Sequence, residues 1–276
     1  MTWRFLDTGK CGAAFNMAVD EALLRGVIAG SSAPTLRTYC WTPPSFSIGY
    51  NQDMDGQINP GACEAHGITR VRRFTGGRTV LHGWDITYSV TAAIDDIAPG
   101  EAVSGAFAKI SLALVRGLEI LGARAEFARP GQRDPAGRTV KPCFTSVSRF
   151  EVSCRGRKII GSAQRVVGKV LLQHGSIPLV NPPAGPHLFV PGLSDQEREH
   201  LGEELRQRST CLSVELGREI LYDEVRNALV KGFEGVIGKG FHVGDLSRLE
   251  KETIADLESK KYGCSTWNRS GAGSWR

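Results

Sequence analysis

No apolar run in this 276-residue sequence approaches the roughly 18–20 residues that a membrane helix needs, so no membrane partner is expected. The opening residues, Met1-Thr2-Trp3-Arg4-Phe5-Leu6-Asp7, lack the apolar segment of a secretory signal, and a cytoplasmic location is expected. The seven cysteines, Cys11, Cys40, Cys63, Cys143, Cys154, Cys211 and Cys264, include no CxxC pair and no Cys/His group at zinc spacing. A metal is therefore not expected, and free thiols, most of them small core residues, are. Internal repeats and low-complexity tracts are missing, and so are the spacings of a phosphate-binding loop and of a dinucleotide fingerprint. Charge of one sign is also thin on the ground. The net +5 is spread over the chain, with only short groups such as Arg70, Arg72, Arg73 and Arg78. A nucleic-acid binder gathers its charge into a patch, so no nucleic-acid partner is expected. Scattered basic residues fit a solvated surface, or a dock for an acidic protein that opposite charge draws in.

What the sequence does contain is a core. Hydrophobic residues make up 41% of the chain, enough for one large domain or one domain with an appendage. Asn16 to Leu24 mixes apolar and acidic positions at helical spacing. Thr35 to Tyr39 and Ser45 to Ile48 read as strands around Pro43-Pro44, and Asn59-Pro60 as a helix start. Thr69 to Phe74 reads as a strand broken by Gly76-Gly77. Asp85 to Thr91 alternates, with Ile86, Tyr88 and Val90 on one face and Thr87, Ser89 and Thr91 on the other, the pattern of a half-buried strand. Ser104 is placed to cap a long helix with the stripe Phe107, Ile110, Leu114, Leu118 and Leu121, stopped by Gly122. A loop from Arg129 to Pro142 leads to three strands, with Phe150, Val152 and Cys154 on one face of the first and turns at Gly156 and Gly168. Pro182 to Pro191 reads as an irregular crossover. Helices follow over Tyr222 to Ile237 and from a Ser247/Glu250 capping box to about Lys260, ahead of a frayed Ser270-to-Ser274 tail. The whole is an α+β domain of about 240 residues closed by C-terminal helices.

Three segments carry candidate chemistry. In Arg72-Arg73-Phe74-Thr75-Gly76-Gly77-Arg78-Thr79-Val80-Leu81-His82, paired glycines allow a ligand close to the backbone, and the arginines suit an anion or a polar head group, although a plain hairpin fits too. In Gly156-Arg157-Lys158-Ile159-Ile160-Gly161-Ser162-Ala163-Gln164, Lys158 opens an apolar strand. There it can present a positive charge to a reacting carbonyl or thiol, and Gly161, Ser162 and Ala163 leave room for an acyl chain. A surface lysine on an edge strand is the ordinary alternative. In Lys141-Pro142-Cys143-Phe144-Thr145, Cys143 ends a loop before a strand, where nucleophiles are often displayed, and needs a nearby cation to become thiolate.

Together these segments resemble the lipoate-attachment superfamily of biotin protein ligases, lipoate protein ligases and octanoyltransferases. The resemblance rests on Phe15-Asn16-Met17-Ala18-Val19-Asp20-Glu21-Ala22-Leu23, on Arg-Arg-x-Thr-Gly-Gly-Arg, on the Lys158 segment and on Gln173-His174-Gly175-Ser176-Ile177. The Cys143-Phe144 pair resembles the octanoyltransferase branch. The resemblance implies a biotin/lipoate-ligase-like α+β fold of mixed sheets flanked by helices. The catalytic domain would span 1–245, with its core at about 33–245, and a C-terminal helix and tail over 246–276 would pack on it. It implies that Cys143 attacks octanoyl-acyl carrier protein and that the acyl group then passes to a lysine of a lipoyl-domain protein such as the glycine-cleavage H protein. Lys158 would favour the thiolate. Arg73, Thr75, Gly76, Gly77, Gly161, Ser162 and Ala163 would frame the acyl pocket. His82 would serve as a wall or proton acceptor, or equally as a satisfied structural histidine, while His174 is read as structural. No cofactor and no metal are implied, and a monomer is expected. An ATP-dependent lipoate ligase and a lipoyl or octanoyl amidotransferase are the alternatives. A non-catalytic acyl or nucleic-acid binder is disfavoured by the intact Cys143 and Lys158.

Overall fold

A computed structural model of the chain describes residues 2–127 and 152–271. The expected loop from Arg129 to Pro142, and Phe150, lie outside them. The chain opens with β1 (Trp3–Cys11) and α1 (Ala13–Ile28), then β2 (Thr35–Trp41) and β3 (Ser45–Ile48). Two short helices follow, α2 (Met54–Gln57) and α3 (Pro60–Ala65). The Asn59 side chain accepts from the Ala62 amide and so caps α3. Next come β4 (Thr69–Arg72), β5 (Val80–His82), β6 (Asp85–Ala93), the single turn α4 (Ile94–Ile97) and the long α5 (Val103–Ile120). β7 (Ala125–Phe127), β8 (Val152–Cys154), β9 (Arg157–Val167) and β10 (Val170–Pro178) precede a 3-10 turn at Pro186–Phe189. The remainder is α6 (Asp195–Arg208), α7 (Leu212–Leu216), α8 (Tyr222–Ile237), β11 (Phe241–Val243), α9 (Arg248–Leu257), a π-helical turn (Glu258–Tyr262) and α10 (Ser265–Ser270).

Among the described residues, eight strands form one mixed sheet in the order β11-β1-β2-β6-β10-β9-β8-β7, and β4-β3-β5 form a second, smaller one. β1 runs parallel to β2 and β11, and the pairs from β2 through β6 and β10 to β9 are antiparallel. On one face of the large sheet, Ile86, Tyr88 and Val90 of β6 join Ile110, Leu114 and Leu118 of α5 and Val225, Leu229 and Phe233 of α8 in one core. Burying each such large side chain fully contributes roughly 1.5–3 kcal/mol.

The other face of β6 corrects the expectation of a half-buried strand. Thr87, Ser89 and Thr91 are buried as completely as their apolar neighbours, because α1 and the cavity described below cover them. The polar side of the alternation marks a buried polar layer instead of water. α1 lies across that layer and is itself buried nearly all round. Its adjacent acids sit about 100° apart on the helix. Asp20 turns to the sheet, and Glu21 turns to the C-terminal elements, where Lys261 Nζ donates to it at 2.6 Å and the Tyr262 hydroxyl also bonds to it.

Four smaller expectations are corrected. α5 starts at Val103, after Ala102 and with no side-chain cap, because Ser104 already lies inside the first turn. β4 ends at Arg72, since Phe74 leaves the sheet to pack with Leu24, Val170 and Leu172. The crossover after Pro182 contains an ordered turn whose Phe189 meets the Phe46 ring edge-on at 5.2 Å. The helix expected to stop near Lys260 runs on through the π-helical turn. Ser270 ends α10, and residues 272–274 of the expected tail lie outside the described residues.

Candidate active site

A cavity of about 230 Å³ is lined from both sheets, by Ser47 of β3, His82 of β5, Lys158 and Gly161 to Ala163 of β9, and His174 to Ser176 of β10. Met17 of α1, Tyr39 and Trp41 of β2, Thr87 of β6 and the Gly77–Arg78 turn complete the wall. It is small beside the roughly 300–1,000 Å³ of pockets for drug-sized ligands, which suits a short unbranched group. The fold thus gathers Arg73, Gly77, His82, Lys158, Gly161, Ser162 and Ala163 around one space. Thr75 and Gly76 stand behind that wall. Cys143 lies outside the described residues.

Lys158 sits where β9 passes β8 and the segment before α7, with its carbonyl held by the Thr210 amide at 2.9 Å. Its alkyl chain lies over Gly161, where a β-carbon would stand 3.4 Å from Lys158 Cε. The buried Ile159 and Ile160 anchor the strand behind it. Ser162 hydrogen-bonds the Tyr88 hydroxyl at 2.7 Å, and Gly175 opposite must be glycine, because a β-carbon there would lie 2.7 Å from the Gly161 carbonyl oxygen.

Arg73 lines the cavity, yet its guanidinium is engaged with the protein itself. It donates to the carbonyls of Ser47, Gly76 and Arg78 and to the Ser47 hydroxyl. These bonds tie Arg73 to the glycine turn as well as to the cavity wall. Gly77 takes φ +87, and its carbonyl oxygen comes so close to Gly49 that a β-carbon at 49 would lie 1.9 Å from it. Arg72, beside it, spends its donors on carbonyls at Gly49, Tyr50 and Gln52 and at Trp267, Asn268 and Arg269. Thr75 bonds His174 Nε2 at 2.6 Å.

Two carboxylate–histidine pairs stand in the walls. Asp20 Oδ2 is 2.8 Å from His174 Nδ1, and Asp85 Oδ2 is 2.8 Å from His82 Nδ1. Burial pushes both carboxyls up, but their partners outweigh it and hold both below the usual value. For Asp20 these are Arg37, His174 and Ser89, and for Asp85 they are His82, Ser176 and the Gly83 amide. Ionised carboxylates only accept, so each Nδ1 carries a proton that it donates to its acid. Burial keeps the His174 imidazole below its ordinary value of 6.5 despite Asp20, so it is neutral near pH 7. Among the described cysteines, burial pushes Cys154 and Cys63 up to about 11 and Cys40 up to about 12. None of the described cysteines lines the cavity. Among the described residues no cluster of His, Cys, Asp or Glu is arranged to hold a metal, and no helix is long and apolar enough to cross a membrane.

Sequence reasoning missed Asp20, Asp85, Ser47, Arg37 and Trp41. The available signal was polar residues inside otherwise apolar elements, such as Asp20 after Ala18-Val19 and Ser47 between Phe46 and Ile48.

The sequence matches the family described as the lipoyl protein ligase A/B catalytic domain over residues 12–234. It is 40% identical to Octanoyltransferase LipM of Kyrpidia tusciae, over 97% of this chain and 98% of that one. It is 34% identical to Octanoyltransferase LipM of Bacillus subtilis, again over 97% and 98%. Among solved structures, the bipartite lipoate protein ligase of Thermoplasma acidophilum, studied with its E2 lipoyl domain, shares the fold with a TM-score of 0.82 at 24% identity, covering 100% of this chain and 99% of that one. The chain therefore belongs to the lipoyl protein ligase A/B catalytic-domain family, and within it to the octanoyltransferases.

Proposed function

We propose that the chain transfers an octanoyl group from octanoyl-acyl carrier protein to a lysine of a lipoyl-domain protein, with the glycine-cleavage H protein as the foremost acceptor, through an acyl-thioester on Cys143. Octanoyl transfer in lipoate biosynthesis is what its octanoyltransferase relatives and its ligase-like fold support. The observation that carries the reading is the small cavity with Lys158 and His82 in its wall and the Gly161-to-Ala163 stretch beside them, which offers space for an acyl chain next to a cation. In this reading residues 1–245 are the catalytic domain and 246–276 its C-terminal helix and tail.

In this reading the Cys143 thiolate, stabilised by the Lys158 ammonium, attacks the carrier thioester. The C–S bond to the carrier breaks and the octanoyl group rests on Cys143. The acceptor amine then attacks the same carbonyl, and the thiolate leaves. Thr75 and Gly76 hold the glycine turn in place, and Arg73, Gly77 and Ser162 bound the pocket. The donor thioester is already activated, so the chemistry calls for no nucleotide. Intact mass after mixing with octanoyl-acyl carrier protein tests this. One octanoyl mass, removable by hydroxylamine and absent from Cys143→Ala, is expected. An alanine variant that octanoylates the lipoyl domain at the normal rate would falsify the covalent route. Pyrophosphate release from ATP and free octanoate would point instead to a ligase.

A further inference from the structure

Making an amide from a lysine removes a proton from nitrogen in every turnover. In the reading above Lys158 is assigned to the Cys143 thiolate. The cavity wall holds a different set of atoms in the right order. Ser47 Oγ is 2.9 Å from His82 Nε2, and His82 Nδ1 is 2.8 Å from Asp85 Oδ2. Arg73 Nη1 donates to Ser47 Oγ at 3.1 Å. A guanidinium can only donate, so Ser47 accepts from Arg73, and its own hydrogen can point to His82 Nε2 when that nitrogen is unprotonated. The imidazole is held in that pose twice over. The Trp41 ring stacks on it at 4.1 Å and 13°, and Trp41 Nε1 donates to Thr87, which donates in turn to Asp85 Oδ2.

We propose that Ser47, His82 and Asp85 form the proton relay of amide formation, with Ser47 as the group that meets the acceptor lysine. This rests on the acyl-transfer reading above. As the amine attacks the octanoyl carbonyl, the new C–N bond forms and the carbonyl electron pair moves to oxygen. The nitrogen gives a proton to Ser47 Oγ, and the Ser47 proton passes to His82 Nε2. The resulting imidazolium is paired with the Asp85 carboxylate. The oxyanion collapses, the C–S bond breaks, the thiolate leaves with its electron pair, and the imidazolium returns its proton to water before the next cycle.

The second histidine chain, Thr75–His174–Asp20, has the same order of atoms and a different charge balance. Asp20 is already matched by Arg37 at 2.6 Å and also accepts from Tyr39 and Ser89. Among the described residues, the ion pair of Asp85 is with His82. Its carboxylate is therefore placed against one imidazole, where it can pair with that ring when the ring takes up a proton.

The test separates the two half-reactions. Acylation by an octanoyl thioester donor and amide formation on a lipoyl domain are each followed by mass in single turnover. A positioned general base contributes roughly 10²–10⁴-fold, so His82→Gln is expected to slow amide formation by about that much and acylation by several-fold at most. His82→Ala should lose as much, and added imidazole should restore amide formation in a concentration-dependent way, a response that a merely structural histidine would not give. Ser47→Ala should slow amide formation with its acylation step nearly intact. Equal slowing of both steps, no response to imidazole, or an undiminished Ser47→Ala would each overturn the relay. A wild type that gains no octanoyl mass sinks the Cys143 intermediate separately. The imidazole response is then read on overall amide formation, so the two failures are distinct.

Discussion

Asp20 and Asp85 are both buried, both ionised and both bonded to a cavity-lining histidine, yet their charges are balanced differently. Asp20 sits at the centre of a balanced cluster with Arg37, Tyr39, Ser89 and His174. Asp85 has hydroxyl and amide partners and, among the described residues, an imidazole as its one ionisable partner. A matched buried charge holds elements together. A charge aimed at one titratable ring can assist a reaction. One fold places both kinds within a single cavity wall, and substitutions can tell them apart.

The largest effect is expected at Arg37. Arg37→Met leaves Asp20 buried without its cation, which costs about 3–5 kcal/mol, and urea unfolding should show it. Asp85→Asn should cost less, about 1–3 kcal/mol for disturbed hydrogen bonds, while slowing amide formation far more than that loss implies. If the two variants lose stability equally and activity in proportion, the distinction between the acids fails.

A subtler contrast comes from pH. The folded protein keeps His174 neutral, whereas the unfolded chain takes up a proton at the ordinary value of 6.5. Below that value the unfolded state binds more protons, so stability falls as pH falls, by at most about 1.4 kcal/mol per pH unit from this group. His174→Gln should flatten that part of a stability-against-pH curve, and an unchanged slope would rule His174 out as its source. The smallest effects belong to the serines. Ser89→Ala and Ser176→Ala each remove one donor, to Asp20 and Asp85 respectively, and should each cost about 1 kcal/mol. Only Ser176→Ala should also alter the rate of amide formation, measured in single turnover.

Much of the fold could be read from sequence because its elements carry strong periodicity. The β6 alternation, the α5 stripe and the span of α8 are examples. The meaning of a pattern was harder to read than its presence. Thr87 and Ser89 look like a solvent face because alternation reports two environments without saying that one is water. α6 escaped notice for a related reason: few of its residues, Leu201, Gly202 and Leu205, are buried, so it shows hardly any stripe despite its Ser194/Glu197 capping box. In the candidate site, residues in unusual local settings stood out, namely Gly77 in its turn and Lys158 at the head of an apolar strand. Ser47, Asp20 and Asp85 occupy ordinary strand and helix positions. Their importance comes from partners such as His82 and His174, which the tertiary structure brings to them. Arg73 stood out by its charge, and the structure adds its bonds to the glycine turn, which no local pattern announces.

The Arg72 guanidinium binds the segment around Tyr50 to the carbonyls of Trp267, Asn268 and Arg269. Those partners are synthesised almost 200 residues apart. Arg72 leaves the ribosome early, and its second set of acceptors emerges only when nearly the whole chain has been made. The segment that carries Gly49 is held locally by the Thr75 carbonyl and the Gln52 side chain, and the Arg72 bonds to α10 add a brace that comes from the far end of the sequence. A chain clipped after Cys264 would lack the carbonyls of Trp267, Asn268 and Arg269, and the Arg72 guanidinium would lose those acceptors.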